Sequence, residues 1–136
     1  MLGIQSCDQF GASGPLPTEI PDVDSNINAG SLPDGRVYLL SNPVVASTTR
    51  RNPLVISLTD DGTNFARAMV VANCLAPPYS RPGQPDGCQM RNAGAGKAPG
   101  PQYPQGVVAR DRGMMAIAFS QNKEDIWVVT VKLDSL

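Results

Sequence analysis

Proline and glycine divide this sequence into short segments. The 136 residues include 13 Pro and 13 Gly, a density that leaves little room for long helices. Short segments bounded by turn residues are typical of strands and hairpins. The length fits one ordinary domain, and such a chain can bury roughly two-thirds of its unfolded surface. We therefore predict a single, loop-rich, all-β domain over residues 1–136.

The charge and composition exclude several classes of function. The formal net charge is -1 and the only basic doublet is Arg50-Arg51, whereas a nucleic-acid partner needs a clustered basic face. No stretch approaches the ~20 apolar residues of a membrane span, and the N-terminus shows no signal peptide. The absence of histidine removes the commonest general base at neutral pH. We expect no metal site, no cofactor, no nucleic acid and no membrane partner.

The first half of the chain predicts one group of strands. Residues 1–31 are loop-rich with at most one short strand, and residues 32–74 form the first module. Within it, β-forming residues predict strands over Val37–Ser41, Leu54–Leu58 and Phe65–Ala72. Asp-Gly turns precede the first and third of these strands, which favours hairpins.

The second half of the chain predicts a long loop and a three-stranded meander. Residues 75–102 are rich in Pro and Gly and contain no β-branched residue, so they predict a long loop, a feature that is usually functional or disordered. Strands are predicted from Val107 to Arg110, from Met114 to Ser120 and from Ile126 to Leu133. With residues 103–136 as a second module, the repeat length suggests propeller blades of ~40–45 residues. On that scale the chain holds two blades and part of a third.

Lys123, Glu124 and Asp125 form a compact charged group between the last two strands. Two carboxylates and an ammonium in sequence suggest acid–base chemistry, but adjacent charges in a turn point in different directions and face water. We interpret the group as a hairpin corner.

Three cysteines stand at Cys7, Cys74 and Cys88, without a CxxC pair. Cys74 and Cys88 bracket the Pro/Gly-rich loop and can form a disulfide, while isolated thiols remain an equal alternative. The odd count leaves at least one thiol free.

The turn from Leu58 to Phe65, LTDDGTNF, resembles an Asp-box, which reads Ser-x-Asp-x-Gly-x-Thr-Trp. Asp60, Gly62 and Phe65 match the motif, with Phe in place of Trp. Its role is structural: the Asp side chain caps the turn, Gly adopts a conformation closed to other residues, and the aromatic side chain packs beneath.

Four ordered segments extend this resemblance: residues 32–43, 51–65, 103–113 and 119–126, the last reading FSQNKEDI. Together they resemble the C-terminal part of sialidase-like BNR-repeat proteins over residues 18–136. The resemblance implies an antiparallel β-propeller fragment, with two to three four-stranded blades of a six-bladed propeller. It implies a glycan partner with a terminal acidic sugar, and a secreted or lysosomal location.

Two residues match the sialidase machinery under this resemblance. Arg51 resembles the third arginine that binds the sugar carboxylate, a task that suits its planar fork. Tyr103 resembles the nucleophilic tyrosine of these unusual glycosidases. The alternatives are an exposed strand-end arginine and an aromatic residue packed under the loop.

The resemblance also leaves gaps. The general-acid Asp, the base Glu, the first arginine and the Arg-Ile-Pro motif of a sialidase lie upstream of the region matched. We therefore expect the isolated chain to lack activity, and to form oligomers or to pair with missing N-terminal blades, because unpaired strand edges attract partners. The alternative is a non-catalytic BNR-repeat module that binds glycans or proteins.

Overall fold

The computed structural model describes residues 18–23, 25–43, 51–75, 87–92, 94 and 97–136, and within them the chain is all-β. Seven strands form two antiparallel sheets, one of four strands and one of three. This architecture confirms the predicted fold class and is consistent with a fragment of a β-propeller. The strands in chain order are β1 (Asn28–Ser31), β2 (Val37–Ser41), β3 (Leu54–Thr59), β4 (Arg67–Ala72), β5 (Pro101–Ala109), β6 (Met114–Gln121) and β7 (Asp125–Lys132).

Sheet 1 has the strand order β1-β2-β3-β4, so each strand pairs with its neighbour in the chain. Strand β2 has the predicted bounds, and β3 extends one residue further than predicted, to Thr59. Strand β4 begins at Arg67 instead of Phe65. Strand β1 supplies the fourth strand from within the region predicted to be loop-rich, and it pairs with β2 through Asn28 opposite Leu40.

Sheet 2 has the strand order β5-β6-β7 and corresponds to the predicted meander. Buried and half-buried residues alternate along β6, as expected for a strand with one face in the core. Strand β5 is the main difference, because it begins at Pro101, inside the predicted loop 75–102. Two prolines and a break in its register between Gln102 and Gln105 explain why its first half lacks the sequence pattern of a strand.

The hydrophobic core lies between the facing sides of the two sheets. Sheet 1 contributes Tyr38, Leu40 and Ile56, which are at most 4% exposed, and strand β6 contributes Met115, Ile117 and Phe119, which are at most 1% exposed. Trp127 on β7 is half-buried and packs against this core. The phenol of Tyr38 donates a hydrogen bond to the carbonyl of Gly106 at 3.2 Å, which joins β2 to β5 across the core.

The opposite face of sheet 2 exposes large apolar side chains. Val107, Ile126 and Val128 are 66%, 76% and 62% exposed, and Ala118 pairs with Val128 across the β6–β7 ladder. An apolar face of this kind is typical of a surface that packs against a further layer.

Candidate functional site

Three side chains from separate elements meet at one end of the two sheets. The guanidinium carbon of Arg51 lies 5.3 Å from the centre of the Tyr103 ring, and the Nζ atom of Lys123 lies 5.5 Å from the same centre. Arg51 precedes β3, Tyr103 lies in β5, and Lys123 lies in the β6–β7 turn. We call these three residues the Tyr103 cluster. The two residues singled out by the sequence resemblance are thus in contact, together with a third that sequence reasoning did not assign to the site.

The backbone of Arg51 is held by neighbours from both sheets. Its N–H donates to the carbonyl of Pro99 at 2.8 Å, and its carbonyl accepts a hydrogen bond from the buried side chain of Asn42 at 3.2 Å. The Asn42 amide also donates to the carbonyls of Pro53 and Pro101, both at 2.9 Å. Asn42 therefore ties the start of β3 to the start of β5, and the position of Arg51 is fixed before any ligand arrives.

The side chain of Arg51 is positioned by Gln102. Its Nη1 donates to the Oε1 of Gln102 at 2.7 Å. Gln102 is fully buried, and its own amide donates to the carbonyl of Ala98 at 2.8 Å. This chain of hydrogen bonds holds the guanidinium against the Tyr103 ring while leaving Arg51 half-buried. A guanidinium carries five N–H donors, so the bond to Gln102 does not use up the fork.

Tyr103 projects from an irregularity in β5. Gln102 pairs with Ser120 and Gln105 pairs with Ala118, so β5 carries one extra residue at this point. Tyr103 itself has φ of 55°, a left-handed conformation that is uncommon for a residue other than glycine. Bulges of this kind re-aim a side chain and are frequent next to active sites, and strained residues cluster at functional sites.

Lys123 occupies a tight turn in the same unusual conformation. Asn122 and Lys123 have φ of 60° and 57°, and the N–H of Glu124 donates to the carbonyl of Gln121 at 3.0 Å. Positive φ at both central residues is the requirement of a type I′ turn. The side chain of Asn122 is buried and accepts a hydrogen bond from the N–H of Gly100 at 2.7 Å. The turn that presents Lys123 is thereby joined to the segment that supports Arg51.

The two cations change the acidity of the phenol between them. The pKa of Tyr103 is lowered below its ordinary value, first by the hydrogen bond from Arg51 and next by the hydrogen bond from Lys123. Burial raises this pKa, but its effect is smaller. Both hydrogen bonds favour the charged phenolate. The cluster can therefore hold an anionic group against two cations, and its phenol ionises more readily than a free tyrosine.

Glu124 has a structural task in this arrangement. Its side chain is only 5% exposed; its carboxylate accepts hydrogen bonds from the backbone N–H groups of Arg91 and Asn92, at 3.0 and 2.8 Å. The guanidinium of Arg91 also contacts Asp125 at 3.1 Å. The hairpin corner is thus observed, but the expectation that its charges all face water is wrong for Glu124, because residues 91 and 92 fold over it.

A disulfide joins the supports of the two cations. Cys74 and Cys88 are bonded to each other. The N–H of Cys74 donates to the side chain of Asn52 at 2.9 Å, next to Arg51. On the other side, the carbonyl of Gly87 accepts hydrogen bonds from Gln121 and Asn122 at 2.7 and 2.9 Å. Cys7 lies outside the described residues.

The Asp-box turn lies at the opposite end of β3 from Arg51. The capping carboxylate belongs to Asp61, one residue after the Asp60 that the motif indicates. Asp61 accepts hydrogen bonds from the N–H groups of Thr63 and Asn64 at 2.8 and 2.7 Å. These two backbone hydrogen bonds hold the pKa of Asp61 well below its usual range, and the bond from Asn64 has the larger effect. Gly62 has φ of 81°, as the motif requires, and Phe65 is half-buried beside the turn.

The described part of the chain carries neither a metal-binding cluster nor a membrane-spanning helix. There, no group of three or more His, Cys, Asp or Glu residues is arranged to hold a metal ion. The helical segments of those ranges are two short 3₁₀ turns, Arg110–Arg112 and Leu133–Ser135, and neither is long and apolar enough to span a membrane.

Comparison with known proteins gives one match. The family model described as a BNR repeat-like domain matches residues 3–117. This range begins before the region of the sequence resemblance and includes Arg51 and Tyr103, but it ends before the β6–β7 turn that carries Lys123. No curated protein and no solved structure matches the chain.

Proposed function

Because the chain belongs to the BNR repeat-like family, we propose that the Tyr103 cluster binds the carboxylate of a terminal acidic sugar, as part of a sialidase-like glycoside hydrolase. The observation that carries the proposal is the placement of Arg51 and Lys123 on the ring of Tyr103. A guanidinium donates two parallel hydrogen bonds to a carboxylate, and pre-positioned cations bind it without the entropic cost of ordering them first.

Tyr103 is the nucleophile in this proposal. A phenol has a pKa of about 10, so it attacks an anomeric carbon only when something favours its ionisation. The two cations of the cluster do so. Attack by the phenolate gives a covalent glycosyl-tyrosine, and hydrolysis of that intermediate retains the configuration of the sugar. Protonation of the departing oxygen requires a separate general acid, so the isolated chain is expected to bind the sugar without hydrolysing it.

A non-catalytic glycan-binding module is the second candidate. It is favoured by the charged side chains that act on the phenol within the described part of the chain, which are two cations. A guanidinium and an ammonium are donors with no lone pair for the phenol's proton, whereas a tyrosine nucleophile is ordinarily paired with a base. In this reading the ring and the two cations bind an acidic sugar, and no bond is broken.

Binding, turnover and covalent labelling together separate these candidates. The chain is tested on an array of acidic and neutral glycans, with Arg51→Ala and Tyr103→Phe beside the unmodified protein. Selective binding of acidic glycans, lost in Arg51→Ala, supports the proposed site. Equal binding of acidic and neutral glycans contradicts it. Turnover of a fluorogenic sialoside that is lost in Tyr103→Phe identifies a nucleophile. Turnover that survives in Tyr103→Phe rules that role out. Binding without turnover of the sialoside is expected under both candidates, so the chain is also treated with a sialosyl fluoride, whose fluoride leaves without a general acid. A covalent adduct on Tyr103, found by mass spectrometry and absent in Tyr103→Phe, supports the nucleophile, and binding without an adduct favours the second candidate.

A further inference from the structure

The residue at position 123 is not the one that its backbone prefers. Two-residue turns with positive φ at both positions strongly favour Asn-Gly, because glycine adopts this conformation without a steric penalty. The chain has Asn122 followed by Lys123, with φ of 60° and 57°. A lysine here is strained, and strain of this kind persists where the surroundings enforce it, which is frequent in ligand clamps.

The surroundings of the turn hold Lys123 in a defined place. Asn122 exchanges two hydrogen bonds with Gly100, at 3.0 and 2.7 Å, and Glu124 is tied to the backbone of residues 91 and 92. Both neighbours of Lys123 are therefore fixed by segments that are distant in the sequence. The side chain between them is half-buried and ends over the ring of Tyr103.

Lys123 shares that ring with another cation. Arg51 and Lys123 both lie within 6 Å of the ring centre, and both act on the phenol through hydrogen bonds, so the two positive charges converge on the hydroxyl end of one side chain. An anionic oxygen bound beside that hydroxyl is within reach of both cations and forms charge-assisted hydrogen bonds with them. The arrangement suits a carboxylate that forms bidentate hydrogen bonds with the guanidinium of Arg51 and an ionic contact with the ammonium of Lys123.

We infer that Lys123 is a second anion-binding residue of the site, and that it contacts the same carboxylate of an acidic sugar as Arg51. The inference rests on the proposed function, because it takes its ligand from it. It assigns the β6–β7 turn a task in recognition as well as in folding, and it explains why lysine stands at a position where glycine is less strained.

Lys123→Gly tests the inference without disturbing the turn. Glycine removes the ammonium and relieves the strain, so the urea midpoint of unfolding should stay unchanged or rise. Binding of N-acetylneuraminic acid and of glucuronic acid is measured by calorimetry, and each should weaken by at least about ten-fold, as expected for the loss of one charge-assisted contact. Lys123→Met should weaken binding similarly, while Lys132→Met, the same charge change at an exposed position on β7, should leave it unchanged.

The phenol supplies a readout that needs no ligand. Ultraviolet absorbance follows ionisation of Tyr103, identified by its loss in Tyr103→Phe. The pKa of Tyr103 should lie below the ordinary value and should rise in Lys123→Gly and Lys123→Met, but not in Lys132→Met. A rise confirms that Lys123 acts on the ring in solution, and an unchanged pKa overturns that contact.

The outcomes separate this inference from the proposed function. Loss of binding in Arg51→Ala with full binding in Lys123→Gly overturns the role of Lys123 and leaves the proposed function standing. Loss in both variants, with an intact fold, supports both. Failure of the unmodified protein to bind either acid overturns the proposed function and, with it, the recognition role of Lys123.

Discussion

Replacing Glu124 with alanine removes a nearly buried carboxylate that fastens residues 91 and 92 to the β6–β7 turn. The carboxylate accepts two backbone N–H groups at 3.0 and 2.8 Å, and hydrogen bonds to a charged group contribute about 1.5–3 kcal/mol each. Because Arg91 and Asn92 are themselves exposed, the lower end of this range applies to each bond. The ion pair with the half-exposed Arg91 side chain adds at most about 0.5 kcal/mol. The expected loss is therefore about 3 kcal/mol in the free energy of unfolding.

Equilibrium unfolding in urea measures this loss. Trp127 is the single tryptophan and lies on β7 against the core, so its fluorescence reports the folding of sheet 2. Asp111→Ala is the matched control, because the side chain of Asp111 is 82% exposed and its removal changes the charge equally. A loss in Glu124→Ala no larger than that in Asp111→Ala would refute the structural role of Glu124.

The pH dependence of stability gives a second view of the same carboxylate. Burial, the largest single influence, raises the pKa of Glu124, but the hydrogen bonds from Arg91 and Asn92 together outweigh it and lower the pKa below the ordinary 4.5. A lowered pKa in the folded state means that the stabilisation is complete above the unfolded value and disappears as the pH falls through the folded value. The difference in stability between the unmodified protein and Glu124→Gln should therefore be constant near neutral pH and shrink in acid. A difference that grows on acidification would contradict the assignment.

Two further changes probe the supports of the site, and a third probes the Asp-box turn. Replacing both Cys74 and Cys88 with serine should lower the free energy of unfolding by ~3 kcal/mol, as expected for a closed loop with a sequence separation of 14; urea unfolding of the oxidised and reduced protein checks this, and equal midpoints would contradict it. Gly100→Ala should destabilise the fold and impair binding, because Gly100 has φ of 116° and its added Cβ would collide with the carbonyl oxygen of the cluster's arginine. Gly35→Ala, with φ of 96° and open space around it, should lower only stability, so a loss of binding there would count against the argument. Asp61→Ala should lower the thermal midpoint more than the same change in the preceding aspartate; the reverse order would restore the motif's own assignment.

Local patterns were sufficient to predict most of the strands. Val37–Ser41 was found with its predicted bounds because β-forming residues there lie between two turn signals. Strand β6 was found because one of its faces lies in the core, which imposes a period of two on the sequence. Strand β5 begins earlier than predicted because Pro101 and Pro104 conceal a strand whose register is broken at that point.

The site was only partly predictable for a different reason. Arg51 and Tyr103 carried a resemblance, but their contact depends on how sheet 1 meets sheet 2, which no local pattern encodes. Glu124 was expected to face water because its local sequence is that of an exposed turn. The segment that covers it is more than 30 residues away in the sequence, so no local pattern predicts this contact. The sequence contains one signal for Lys123, which is a lysine after an asparagine where a tight turn favours glycine. This signal can be interpreted only when the φ angles of the turn are known.

The most direct test of the central claim compares two ligands that differ in one charge. Calorimetry measures binding of N-acetylneuraminic acid and of its methyl ester to the unmodified chain, at low ionic strength, where exposed charges are least screened. If Arg51 and Lys123 bind a carboxylate beside Tyr103, the chain should bind the acid. The methyl ester lacks the negative charge, so its affinity should be at least about ten-fold lower. Equal affinity for the acid and the ester, or no binding of the acid, would contradict the account.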